Sequence, residues 1–156
     1  MTHQHPEAFG RRIHRLIFAS RQRLSGTPPV EESLAAIRDS SSRNNADADL
    51  TGVLLAHEDW FLQALEGSRE SVLLAYGRIV DDPRHGEAKV LGSGPAEGRA
   101  FQAWCVCAGV FGAADAAILE ALTRRGPFDA GRLTERAALK LLQGIEAIKM
   151  RAATAA

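Results

Sequence analysis

The chain has 156 residues, 46% hydrophobic and 24% charged, and its 19 basic and 19 acidic residues cancel to zero net charge. That length supports one domain with appendages and a core able to stand alone, and the balanced charge excludes a global pull towards nucleic acid or anionic lipid. No apolar run approaches the roughly 20 residues of a bilayer span, and the polar stretch Met1–Arg12 is no secretory signal, so a cytoplasmic protein that meets neither membrane nor nucleic acid is expected.

Residues 1–13 read as a flexible arm. Arg15-Leu16-Ile17-Phe18-Ala19-Ser20 reads as a short apolar strand with Leu16, Phe18 and Ser20 on one face. Gly26-Thr27-Pro28-Pro29 is a loop. A helix follows from about Val30, favoured by Glu31 and Glu32 in its first turn, with Val30, Leu34, Ile37 and Ser41 as its stripe. It is expected to decay at Ser40-Ser41-Ser42-Arg43-Asn44-Asn45, where short polar side chains compete for the backbone.

Leu50 to Ala56 is a second strand, His57-Glu58-Asp59 a tight connection, and Trp60 to Gly67 an antiparallel return. Ser68 is a suitable N-cap for a second helix, without a capping box because position 71 is Ser. Val72, Tyr76, Ile79 and Val80 form its apolar face. Arg78, Asp82 and His85 follow another line, which taken alone reads equally well as a solvated, salt-linked face.

Lys89 to Leu91 starts a fourth strand, Gly92 to Gly98 is a glycine-rich loop, and Phe101 to Ala108 is a fifth strand. In that strand Cys105 and Cys107 share a face about 6–7 Å apart, which does not suit a relaxed disulfide. A lone C-x-C lacks the four ligands of a zinc site, so both read as small hydrophobes and no metal is expected. Residues 113–125 and 129–152 read as two more helices, the second with a stripe of Leu133, Ala137, Leu141, Ile145 and Ile148. The order predicts an α+β, ferredoxin-like (split βαβ) fold: a mixed five-stranded sheet with two helices on one face. The two C-terminal helices cover the other face or dock a partner. The chain divides into the arm (1–13), the sheet domain (14–110) and a helical extension (111–156).

Within Trp60–Gly67, Phe61, Gln63 and Leu65 share one face, and Trp60, Leu62 and Ala64 the other. Gln63 is therefore an amide among apolar neighbours. A buried amide without partners costs about 1–3 kcal/mol. Either the core satisfies it, or it sits at an edge facing water, or it faces a polar ligand held against the sheet.

Five stretches bear a resemblance, in order and at compatible spacing. They are Arg15–Ser20; Ser42-Arg43-Asn44-Asn45 followed by Leu50-Thr51-Gly52-Val53-Leu54-Leu55; Phe61–Gly67; Arg78-Ile79-Val80-Asp81-Asp82-Pro83-Arg84-His85; and Phe101-Gln102-Ala103-Trp104. Over about Arg15 to Ala108 the chain resembles the BLUF domain, a blue-light sensor that uses flavin. The resemblance implies FAD, with FMN as the other candidate, held between the two sheet-flanking helices. Asn45 would bond the ring's N3 and C4-carbonyl edge, with Asn44 beside it. Gln63 would sit against N5 and O4, Arg78 would bind the C2 carbonyl steadied by Asp82, and His85 would lie close to the ring or its side chain. Amides carry both donors and an acceptor, which suits such an edge, and a guanidinium polarises a carbonyl.

The sequence also departs from the family. The resemblance implies a photoactive tyrosine where Phe18 stands; the sole tyrosine is Tyr76. Where the family often has methionine, two residues after Trp104, stands Val106. The usual tyrosine-to-flavin electron transfer should not run through Phe18, which leaves Trp104 as the alternative donor. The expected function is thus a flavin-binding sensor with an impaired or altered light response. The alternative is a flavin-free interaction module on the same fold. An enzyme is not expected, and no catalytic residue is assigned, for want of a nucleophile–base pair or phosphate-binding glycine loop. Output would pass through the C-terminal helices, to a second copy or a downstream protein.

Overall fold

The protein, in a computed structural model, is described over residues 12–24 and 29–155. The predicted arm lies outside these residues as far as position 11, as do Gly26, Thr27 and Pro28 of the predicted loop. Among the described residues the strands and α-helices follow in order: β1 (Ile13–Gln22), α1 (Val30–Asp47), β2 (Thr51–His57), β3 (Trp60–Gly67), α2 (Arg69–Asp81), β4 (His85–Ala96), β5 (Trp104–Ala108), α3 (Ala113–Arg124) and α4 (Glu135–Ala155). The sheet order is β4-β1-β3-β2-β5, with every pair antiparallel except β2 and β5. This is the ferredoxin-like arrangement expected, with β5 added beside β2.

β3 lies at the centre and all eight of its residues are buried. Its alternation divides the molecule into two layers. Trp60, Leu62 and Ala64 pack with Ile118 of α3 and with Ala138, Leu142 and Ile145 of α4. Phe61 joins Leu34 and Ile37 of α1, while Leu65 joins Val72 and Ala75 of α2. The C-terminal helices therefore cover the face that α1 and α2 leave bare.

Gly52 shows why β2 needs glycine. Its φ is +148°, and an added Cβ would stand 1.9 Å from the Ala64 carbonyl oxygen. No side chain fits so close a backbone approach. Ser68 caps α2 as expected, its Oγ accepting from Ser71 N–H at 3.1 Å.

Several expectations are corrected. α1 does not decay at residues 40–45 but runs to Asp47. Ser40 and Ser41 turn their hydroxyls back to the carbonyls of Ile37 and Arg38, so they bond within the helix instead of ending it. Val30, predicted on the buried stripe of α1, is exposed. On α2 the buried residues are Val72 and Ala75, and Val80 faces out.

β4 begins at His85 and continues to Ala96, through the predicted glycine loop. β1 supplies pairing along that whole length, from Gln22↔His85 to Ile13↔Ala96. As an edge strand β4 also tolerates Pro95, whose missing N–H costs no ladder bond on the open side. β5 begins at Trp104, not Phe101, because carboxylates take the preceding N–H groups. Glu66 accepts from Phe101, and Glu146 accepts from Gln102 and Ala103. α4 starts at Glu135, later than predicted, with Thr134 Oγ1 accepting from Ala137 N–H. Its buried apolar residues are Ala138, Leu142 and Ile145, with Glu146 buried beside them; Ala137 and Ile148 are exposed, so the face is turned from the predicted stripe.

Candidate functional site

On the α1–α2 side of the sheet, helix spacing and strand alternation bring polar groups to one cavity of about 180 Å³. α1 brings Asn44 and Asn45, β3 brings Gln63, α2 brings Arg78, and the turn into β4 brings Asp82, Arg84 and His85. All six residues expected to hold a flavin thus line the same cavity. Asn45 and Gln63 are buried, at 4% and 2% exposure, while Asn44 and Arg78 are exposed. The cavity has a sealed inner end and an open rim.

Gln63 Oε1 is buried and has no hydrogen-bond partner among the described residues. The protein itself does not satisfy this amide, which favours the ligand reading over the satisfied-core one. His85 is engaged on its inner side. Its Nδ1 lies 2.9 Å from Ser20 Oγ, and its ring lies on Phe61 with centroids 4.3 Å apart. Burial pushes its pKa down to about 4, against the opposite pull of Asp82, so the ring is neutral at pH 7.

One expected pairing is corrected. Asp82 steadies Arg84, not Arg78. Its carboxylate accepts from Arg84 Nε at 3.0 Å and Nη2 at 2.6 Å, and from the Arg84 backbone N–H at 2.9 Å. Asp82 caps α2 with an extended backbone (ψ 124°), so it has left the helical line it would share with Arg78. These bonds hold its carboxyl below the usual carboxylate range. Arg84 also lines the cavity, a residue that the sequence reading does not assign to the site. The signal lay in the sequence, since Asp82-Pro83-Arg84 spaces two opposite charges across a turn.

Phe18, Trp104 and Val106 share this side of the sheet but do not line the cavity. Phe18 stands directly opposite Gln63 in the β1–β3 ladder. It is 1% exposed, and the ring of Tyr76 meets it edge-on at 4.9 Å. Trp104 Nε1–H donates to Ser41 Oγ at 3.2 Å, and Ser41 lines the cavity. Cys105 and Cys107 point to the other face as free thiols, pushed up by burial to about 11 and about 12. Among the described residues no helix is long and apolar enough to cross a membrane.

The family model described as "Sensors of blue-light using FAD" matches residues 13–107. The chain belongs to the BLUF family. BLUF domains bind flavin and act as sensory modules. This BLUF chain is 37% identical over 74 residues to a photoactivated adenylate cyclase subunit beta of Euglena gracilis, across 47% of this chain and 9% of that protein. It thus spans about a tenth of the curated relatives' length. Among solved structures, BlrP1 BLUF matches at 26% identity and TM-score 0.60, over 87% of this chain and 90% of that one. BlrB, a BLUF protein in its dark state, shares the fold at 24% identity and TM-score 0.63, over 90% and 98%.

Proposed function

We propose that this chain is a flavin-binding blue-light sensor whose light reaction departs from the family's usual one, because phenylalanine stands opposite Gln63. The observation that carries the flavin reading is the buried, unpartnered Oε1 of Gln63 at the inner end of the cavity. Asn45 and Gln63 present amides to the edge of a flat heterocycle, FAD or FMN. Arg78, which lines the cavity, supplies positive charge at the ring's C2 carbonyl, while Asp82 pairs with Arg84. His85, neutral and packed at a tilt against Phe61, closes one wall. When bound, the flavin supplies absorption of blue light. The chain orients it, excludes water from Gln63, and offers no phenol at position 18.

The signal is read out through β5. Lys149 Nζ donates to the Val106 carbonyl and pairs with Asp115 at 3.0 Å, and Asp115 accepts from Ala108 N–H at 3.0 Å. These bonds tie the extension over residues 111–156 to the strand that carries Trp104 and Val106. Its outer face, with Ile148 and Met150 exposed, is where a second copy or a downstream protein would bind.

Protein purified from a flavin-replete host should be yellow and release flavin on denaturation. Asn45→Ala should weaken retention by about 0.5–1.5 kcal/mol per lost hydrogen bond. A colourless protein that takes up neither FAD nor FMN would favour the flavin-free module instead.

A further inference from the structure

On the other face of the sheet, α3 and α4 leave a groove of about 400 Å³ between them. That volume falls within the roughly 300–1,000 Å³ of small-molecule sites. One ion pair fixes the direction of the two helices. Asp115, in the first turn of α3, meets Lys149, late in α4, at 3.0 Å. The helices therefore run antiparallel, and the end of α3 lies beside the start of α4.

Both walls follow the helical period. Ile118, Leu122 and Arg125 stand at i, i+4 and i+7 on one side, and Lys140, Leu141, Gly144 and Ile148 line the other. Arg125 lies ten residues after Asp115 and Lys140 nine before Lys149, so the two cations come level at one end of the groove. The opposite end, at Ile118, Ile145 and Ile148, is apolar. Among the described residues no carboxylate lines the groove, and neither Arg125 nor Lys140 makes an ion pair or a side-chain hydrogen bond. Two like charges side by side repel, and an anion set between them is attracted to both. Paired cations at one end of an apolar trough fit an amphiphile with an anionic head.

Volume selects the kind of amphiphile. A partner helix about 10–12 Å across fills roughly 140 Å³ per residue of its length, so less than one turn would enter. An alkyl chain is slender enough to lie inside. We propose that this groove binds a free fatty acid, its carboxylate between Arg125 and Lys140 and its chain along Leu122, Leu141 and Ile148. The inference is independent of the flavin reading, since none of these residues lines the α1–α2 cavity. Ile148 borders both the groove and the outer face of the extension, so a bound chain would form part of the surface that a partner meets.

The test titrates the purified full chain, stripped of lipid, with decanoate and with decanol at pH 7 by calorimetry. Decanoate should bind one to one and on the order of tenfold more tightly than decanol, the scale of one charge-assisted contact. Added salt should shrink that preference. Arg125→Gln combined with Lys140→Gln should bring decanoate down to the level of decanol. Gly144→Leu should abolish binding of both by filling the groove. A Cβ at Gly144 meets nothing within 4 Å, and leucine favours a helix over glycine, so the melting temperature of that variant should not fall. Equal binding of decanoate and decanol by the unaltered chain would overturn the proposal. So would decanoate binding that survives Gly144→Leu, or no binding at all. A dimer in light scattering that Gly144→Leu dissolves, without decanoate binding, would give the groove to a second copy instead.

Discussion

Phe18 and Gln63 face each other across β1 and β3, and replacing one hydroxyl with hydrogen alters what light can do there. A phenol at position 18 could share a proton with the Gln63 amide; a benzyl ring cannot. Blue illumination of the flavin-loaded protein should therefore not give the small reversible red shift typical of the family. Phe18→Tyr adds a hydroxyl on a ring that β1 and Tyr76 already hold, and it should restore at least part of the shift. Phe18→Tyr combined with Gln63→Leu should not. Difference spectra before and after illumination decide this. A full red shift in the unaltered chain would mean that another residue does the tyrosine's work.

Among the elements, β3 and the approach to β5 depend on a single carboxylate. Glu66 is fully buried yet satisfied. It accepts from Arg15 Nε at 2.7 Å, Thr51 Oγ1 at 3.1 Å, and the N–H groups of Ala100 at 2.7 Å and Phe101 at 3.0 Å. It thus joins β1, β2 and β3 to the segment that leads into β5. Glu66→Ala would strand two backbone donors and a partly buried guanidinium. Breaking a buried pair of this kind costs about 3–5 kcal/mol. Urea unfolding should show a loss on that scale with an unchanged slope. A loss below about 1 kcal/mol, the range of exposed pairs, would mean that water replaces the carboxylate.

At the scale of the whole molecule, the buried histidines make the fold sensitive to acid. Burial lowers the pKa of His85 to about 4 and lowers that of His57. His57 Nε2 is orphaned, with its ring packed against Phe128 at 5.3 Å. Both lie below the ordinary value of about 6.5. As pH falls through that value the unfolded chain binds protons that the folded chain refuses, so stability declines from about pH 6.5 towards pH 4. Asp82 acts in a lower window. Its depressed pKa stabilises the fold above the usual carboxylate range, and that contribution is lost as pH falls through the folded value. Melting temperature should drop between about pH 7.5 and pH 5. His85→Gln combined with His57→Gln should flatten the decline, and an undiminished slope in that variant would refute the assignment.

Features that depend on near neighbours are legible in the sequence. Alternation along Trp60–Gly67 sets Gln63 on the face of Phe61 and Leu65, and helical spacing sets Asn45 and Arg78 on the walls of one cavity. These are properties of the backbone period, legible in any stretch that keeps it. Where backbone donors and charges find partners across the chain depends on contacts between distant residues. β4 extends through Gly92 and Gly94 because β1 lies beside it, a pairing that overrides local propensity. β5 starts late because Glu66 and Glu146, 35 and 44 residues away from the N–H groups of Phe101 and Gln102, take those donors first. Asp82 turns to Arg84 because Asp82 leaves α2 with an extended backbone. Arg78 is left without a side-chain partner among the described residues, since partner choice among charges follows three-dimensional geometry and not the helical line they share in sequence.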